Sequence, residues 1–182
     1  MITRLPQDWV LELFNRYPIH ELTVHPRIRR DFYKGDVRME AFAYAAAHSK
    51  IPLCYNGDLN SAQDCRDITA RFPSVHRLMA GRGLVANPAL ARELAGGPLL
   101  QKKELWAFHN ELMARYQETL SGGHQVMGKM KELWFYMGCM FAEAEKPLKA
   151  IRKAKNLADY TLAADILFQN CDLIPGGKFS QG

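Results

Sequence analysis

IPLCYNGDLNSAQD, residues 51–64, is a brief apolar run that ends in Asn56-Gly57-Asp58 and passes straight into a helix start. VHRLMAGRGLVANP, residues 75–88, repeats the pattern with Gly81-Arg82-Gly83 at the end of its apolar run. This is the wiring of consecutive parallel βα units, and it places both polar tips at the carboxyl ends of neighbouring strands, where α/β proteins gather ligand groups. Glycine lacks the Cβ that keeps backbone N–H groups from an anion. A following helix N-terminus adds positive partial charge, and Arg82 supplies a permanent, forked cation. Alone, NGD is most often a turn and GRG is uninformative. Two such tips in register point to a phosphate site.

Working outward, residues 8–17 read as a helix with Trp9, Val10, Leu13, Phe14 and Tyr17 on one face, stopped by Pro18. Residues 21–25 read as a strand that delivers His25 to the same carboxyl end, as either an active-face group or a satisfied strand-end histidine. The loop that follows, HPRIRRDFYKG (25–35), sets Arg27, Arg29, Arg30 and Lys34 around Phe32 and Tyr33. Cations interleaved with stacking surfaces suit single-stranded RNA, and a solvated charged loop has the same composition. Residues 36–48 return to helical pattern with Met39, Phe42, Ala43 and Ala46 inward.

Downstream, Asn87-Pro88 is a helix start and Gly96-Gly97 a helix stop. Strand patterns cease after Gly96-Gly97-Pro98, which is the best domain boundary in the chain and divides it into 1–97 and 98–182. From 101 to 168 the period is helical. Leu105, Phe108, Leu112 and Tyr116 form one stripe, and Val126, Met130, Leu133, Trp134, Met137 and Phe141 a second. Tyr160, Ala164, Leu167 and Phe168 form a third. Such stripes predict the core of a small helical bundle.

Two basic features decorate it. In KPLKAIRKAK (146–155), Lys146, Lys149, Arg152 and Lys153 share a helical face, as an RNA-backbone patch or as a solvated surface. Lys129 and Lys131, two apart and so about 200° around a helix, flank the second stripe from opposite sides. The whole chain of 182 residues is 48% hydrophobic and 24% charged, with net charge +5, which is compatible with a polyanionic partner. No apolar run reaches bilayer length, and MITRLPQDW lacks a signal-peptide core, so the expectation is a cytoplasmic protein without a membrane partner. Cys54, Cys65, Cys139 and Cys171 are scattered, with no metal-ligand or disulfide spacing.

HPRIRRDFYKG, IPLCYNGD, LMAGRGLVANP and KMKELWFYMG, in this order and spacing, resemble the flavin-dependent tRNA-dihydrouridine synthases, most closely their carboxyl-terminal half, over nearly the whole chain. The resemblance implies an α/β fold, the last three βα units of a (β/α)8 TIM barrel, followed by an all-α bundle that grips tRNA. It implies FMN at the strand tips and reduction of the uridine 5,6 double bond with hydride from NADPH. By the same resemblance, His25 contacts the flavin, and Asn56, Gly57, Asp58, Gly81 and Arg82 hold its phosphate and ribityl tail. Arg27 lies near the substrate uridine, while Lys129 and Lys131 face tRNA. Pro26 stands where the family more often has glycine.

The flavin-contacting glutamine and lysine of the family's first five strands have no counterpart in these 182 residues. Nor does the general-acid cysteine of its asparagine-x-glycine-cysteine-proline motif, which Cys54 does not match. No catalytic residue is therefore assigned, and the expectation is a synthase-type oxidoreductase fragment, inactive alone. A three-stranded remnant has two open edges, which implies self-association or pairing with the missing amino-terminal half. The alternative expectation is a non-catalytic RNA-binding module derived from the same family.

Overall fold

The computed structural model describes residues 7–31 and 35–180. Their helices and strands run α1 (Gln7–Phe14), β1 (Leu22–Val24), α2 (Met39–His48), β2 (Leu53–Tyr55), α3 (Ala62–Arg71) and β3 (Arg77–Leu78). There follow α4 (Arg82–Ala86), α5 (Leu90–Leu94), α6 (Lys102–Thr119), α7 (Gly123–Met137), α8 (Glu145–Lys153) and α9 (Leu157–Asn170). A small parallel sheet with helical crossovers is thus succeeded by a helical region, as the two periodicities require. The chain divides into two compact units, Met1–Leu59 with Gln63–Ala80, and Asn60–Ala62 with Gly81–Gly182.

In the first unit the sheet order is β1-β2-β3, all parallel, with Leu22 opposite Leu53, Val24 opposite Tyr55, and Tyr55 opposite Leu78. Central β2 is buried at every residue, which is why it reads as a continuous apolar run and not as an alternation. Edge strands β1 and β3 are only partly buried. The fully buried Phe42 of α2 meets the Tyr55 ring edge-on at 4.7 Å and the Phe72 ring at 5.0 Å, joining α2 to the sheet and to the end of α3. Helix α1 ends at Phe14, earlier than its apolar face suggests, because Pro18 disfavours helical backbone at Tyr17. Helix α2 starts at Met39 because the Arg38 amide donates to the Pro26 carbonyl (2.9 Å), holding that segment against the β1 loop.

In the second unit, GRGLVA forms a helical turn of its own, α4, begun by the amides of Leu84 and Val85 donating to the Gly81 carbonyl. Asn87 starts the next helix: its Oδ1 accepts the Ala89 N–H at 2.9 Å and its Nδ2 donates to Glu93 at 3.0 Å. The turn at Gly96-Gly97-Pro98 is crossed by two side chains. Arg92 donates to both carboxylate oxygens of Glu104 at 2.8 Å and to the Pro98 carbonyl at 3.0 Å. Glu93 accepts the Leu100 N–H at 2.8 Å. Glu104 also accepts the Gln101 N–H in a capping box, and Arg92 holds its carboxyl well below the usual range, at about 2. These bonds bind α5 to α6, and the compact division falls after Ala80.

The bundle core is built from the predicted stripes. Leu105, Val126, Met130, Trp134, Met137, Phe141, Tyr160, Ala164, Leu167 and Phe168 are buried, with Phe108, Leu112, Tyr116 and Leu133 packed against them. His109, which the stripes do not include, is also buried. Its Nδ1–H donates to Asn110 Oδ1 at 2.9 Å, so Nε2 accepts the Tyr160 hydroxyl at 2.7 Å, and that hydroxyl in turn accepts the Trp134 indole N–H at 2.7 Å. Burial lowers the His109 pKa and raises that of Tyr160, so both are neutral links in a donor chain. Among the described residues no helix is long and apolar enough to cross a membrane.

Candidate functional site

The carboxyl ends of β1 and β2 collect five of the predicted site residues, His25, Arg27, Asn56, Gly57 and Asp58, within the first unit. His25, the first residue past β1, donates its Nδ1–H to the Asn56 carbonyl just past β2 at 2.9 Å. Asn56 in turn donates its side-chain amide to the Met79 carbonyl, one residue past β3, at 3.0 Å. The three strand tips are therefore linked by two side chains. Because a carbonyl oxygen only accepts, Nδ1 carries the proton of this bond.

Arg27 and Asp58 form an ion pair across the same two loops, and Arg27 also donates to the Gly35 carbonyl. The Arg27 side chain is only 5% exposed, so its guanidinium serves the loops and is not spread in solvent. The neighbouring Arg29 and Arg30 sit on a 3-10 turn, Arg29–Asp31, while Phe32, Tyr33 and Lys34 of the predicted RNA loop lie outside the described residues. Asp58 adopts φ 44°, a left-handed backbone that aspartate tolerates better than most residues.

Tyr55, absent from the sequence-derived site, shapes this tip. Its hydroxyl stands 3.6 Å from the Met39 sulfur, and an added Cβ at Gly57 would approach it to 2.9 Å. Burial first, and the Asp58 carboxylate second, push its pKa up to about 12. Gly57 is thus required by the packing of a neutral phenol, a reason different from anion approach. The legible signal was an aromatic residue directly preceding Asn-Gly-Asp.

Gly81 and Arg82 belong to the second unit. An added Cβ at Gly81 meets no atom within 4 Å among the described residues, so this backbone faces open space. The Arg82 guanidinium lies 5.3 Å from the centre of the Phe179 ring. Within the second unit, open backbone at Gly81 beside the Arg82 cation is a combination that suits an anionic group.

The two predicted tRNA lysines differ in surroundings. Lys129 is half-exposed and pairs with Glu132 at 3.1 Å, one helical turn along. Lys131 is partly buried and donates to the Ala154 carbonyl, capping the C-terminus of α8, where a cation is favoured by the helix dipole. Lys146, Lys149, Arg152 and Lys153 are exposed along α8. Among the described residues no group of three or more His, Cys, Asp or Glu could hold a metal ion, and all four cysteines are free thiols, with Cys54 buried inside β2.

Comparison with known proteins places this geometry in context. The family model described as Dihydrouridine synthase (Dus) matches residues 13–162. The tRNA-dihydrouridine(16) synthase of Haemophilus ducreyi is 31% identical over 132 residues, 68% of this chain and 38% of that protein. The tRNA-dihydrouridine(20a/20b) synthase [NAD(P)+] of Saccharomyces cerevisiae is 26% identical over 149 residues, covering 79% of this chain and 36% of its own length. That of Pseudomonas syringae pv. tomato named for position 16 is 36% identical over 78 residues, 41% of this chain and 23% of the relative. The chain thus spans between 23% and 38% of the length of these curated relatives. With the model covering most of its residues and the strand-tip motifs in order, the chain belongs to the dihydrouridine synthase family.

Proposed function

We propose that this chain is the FMN-phosphate and tRNA-gripping portion of a tRNA-dihydrouridine synthase-type oxidoreductase. The observation that carries the reading is the family match together with Asn-Gly-Asp directly after β2 and Gly-Arg-Gly beyond Met79 and Ala80 after the adjacent parallel strand β3. Asn56, Gly57, Asp58, Gly81 and Arg82 would hold the phosphate and ribityl tail, and His25 would contact the flavin. FMN, when bound, supplies the hydride, taken from NADPH, that reduces the 5,6 double bond of uridine. Arg27 would act on the RNA side by holding the loop that carries Arg29 and Arg30, and Lys129 and Lys131 would face tRNA. On this reading residues 1–97 are the last part of a TIM barrel and 98–182 the tRNA-binding domain. The chain contains no residue in the general-acid role and is inactive alone.

Titration of the purified chain with FMN tests the reading directly. Wild type quenches flavin fluorescence, while Gly81→Ala, which places a methyl group in open space, and Arg82→Ala keep the fold and lose affinity. Equal FMN binding by all three would defeat the phosphate assignment, and dihydrouridine formation by the chain alone would defeat the claim of inactivity. A second reading, a non-catalytic RNA-binding module, is favoured by the exposed basic face of α8. Binding of tRNA without any flavin affinity selects it.

A further inference from the structure

Residues after α9 do not trail away from the second unit. The Ala142 amide donates to the Asp172 carbonyl at 2.9 Å and the Ile174 amide to the Met140 carbonyl at 2.8 Å, an antiparallel bridge centred on Phe141 and Leu173. Pro175-Gly176 then turns the chain, with Gly176 at φ 64°, a left-handed conformation glycine adopts without strain, and the Gly177 amide closes the turn on Ile174 at 2.9 Å. The turn delivers Phe179, only 3% exposed, to the rings of Phe135 (5.8 Å) and Tyr136 (5.4 Å) on α7. The Arg82 guanidinium also lies over that ring, 5.3 Å from its centre, at cation–π distance.

We propose that the carboxyl-terminal strap makes Phe179 a positioning residue for Arg82, orienting the cation that binds the cofactor phosphate. This rests on the FMN-phosphate reading above. A guanidinium held over a ring by cation–π attraction loses rotamer freedom that an anion would otherwise have to restrict on binding. Phe179 itself touches no ligand, and its effect passes through Arg82 alone.

The test compares FMN with riboflavin, which lacks the phosphate, on the full chain. Phe179→Leu and Phe179→Met keep apolar volume without a π face and are expected to weaken FMN binding about two- to tenfold. Riboflavin binding stays unchanged, Phe179→Tyr restores FMN affinity, and the loss disappears in an Arg82→Ala background. Equal weakening of both flavins, or a loss that persists without Arg82, would show that Phe179 only fills the core and would overturn the proposal. Wild-type chain that binds FMN no better than riboflavin overturns the phosphate site itself, an outcome distinct from wild-type preference that survives loss of the ring. Independently of any variant, the Arg82 side-chain protons are expected upfield in the wild-type NMR spectrum through the ring current of Phe179. Unshifted protons would count against the strap.

Discussion

At Gly57 an added Cβ would stand 2.9 Å from the Tyr55 hydroxyl and 3.3 Å from Val37, whereas at Gly81 it would meet open space. The two glycines look alike in sequence and differ in consequence. Gly57→Ala is expected to destabilise the first unit by about 1–3 kcal/mol through overpacking, read as a lower urea midpoint, while Gly81→Ala leaves that midpoint unchanged. Asp58 offers a second test. Replacing it with Ala leaves the buried Arg27 guanidinium without its carboxylate, a loss of about 1–3 kcal/mol of stability. Replacing Arg27 and Asp58 together with Met and Ala should recover part of that loss, because no buried charge is then stranded.

Among the elements, α6, α7 and α9 are joined by a polar thread inside an apolar core: Trp134 donates to Tyr160, Tyr160 to His109, and His109 to Asn110. Burial lowers the His109 pKa below its ordinary 6.5, opposed first by the hydrogen bond to Asn110 and then by the Asp165 charge. The folded state therefore binds a proton less readily than the unfolded chain. Its stabilising effect is complete above about pH 6.5 and is lost as the pH falls toward the lowered value, at no more than about 1.4 kcal/mol per pH unit. Thermal melts between about pH 7.5 and pH 5 should show this decline, and His109→Gln should flatten it; an unchanged slope in the variant would exclude the histidine as its source. Lys131→Met on α7 removes a cation from the C-terminus of α8 and is expected to cost about 0.3–1 kcal/mol in the same melts. Because Lys131 caps a helix as well, its effect on tRNA affinity must be compared with that of Lys129, which pairs with the exposed Glu132.

For the molecule as a whole, two open edges of a three-stranded sheet and a basic helical surface set the expectations. An open apolar cleft of about 360 Å³ runs beside edge strand β1, lined by Leu11, Phe14, Leu22, Val24, Pro26 and Ala41 among others. Covering it is expected to stabilise the chain. Sedimentation should report a mass above that of one chain at high concentration, and a wholly monomeric chain with undiminished stability would argue that edge and cleft need no cover. If tRNA meets the α8 face, the log of affinity falls linearly with log salt, and each lysine removed from that face reduces the slope by about one.

Much of this was legible in the sequence because it depends on residue type and period. A continuous apolar run announced the buried β2, stripes of period 3.6 announced the bundle core, and paired glycine-rich tips announced the strand ends. What lay beyond reach depends on residues distant in the chain. His109 interrupts no stripe, Arg27 and Asp58 are 31 residues apart, and Arg92 reaches over a turn that composition marks as a boundary. Local sequence determines which face of an element seeks burial, since that follows from each side chain's own transfer energy. Only the tertiary structure decides which buried polar group finds which partner, since a hydrogen bond or ion pair exists only where two chain segments meet at a specific distance and angle.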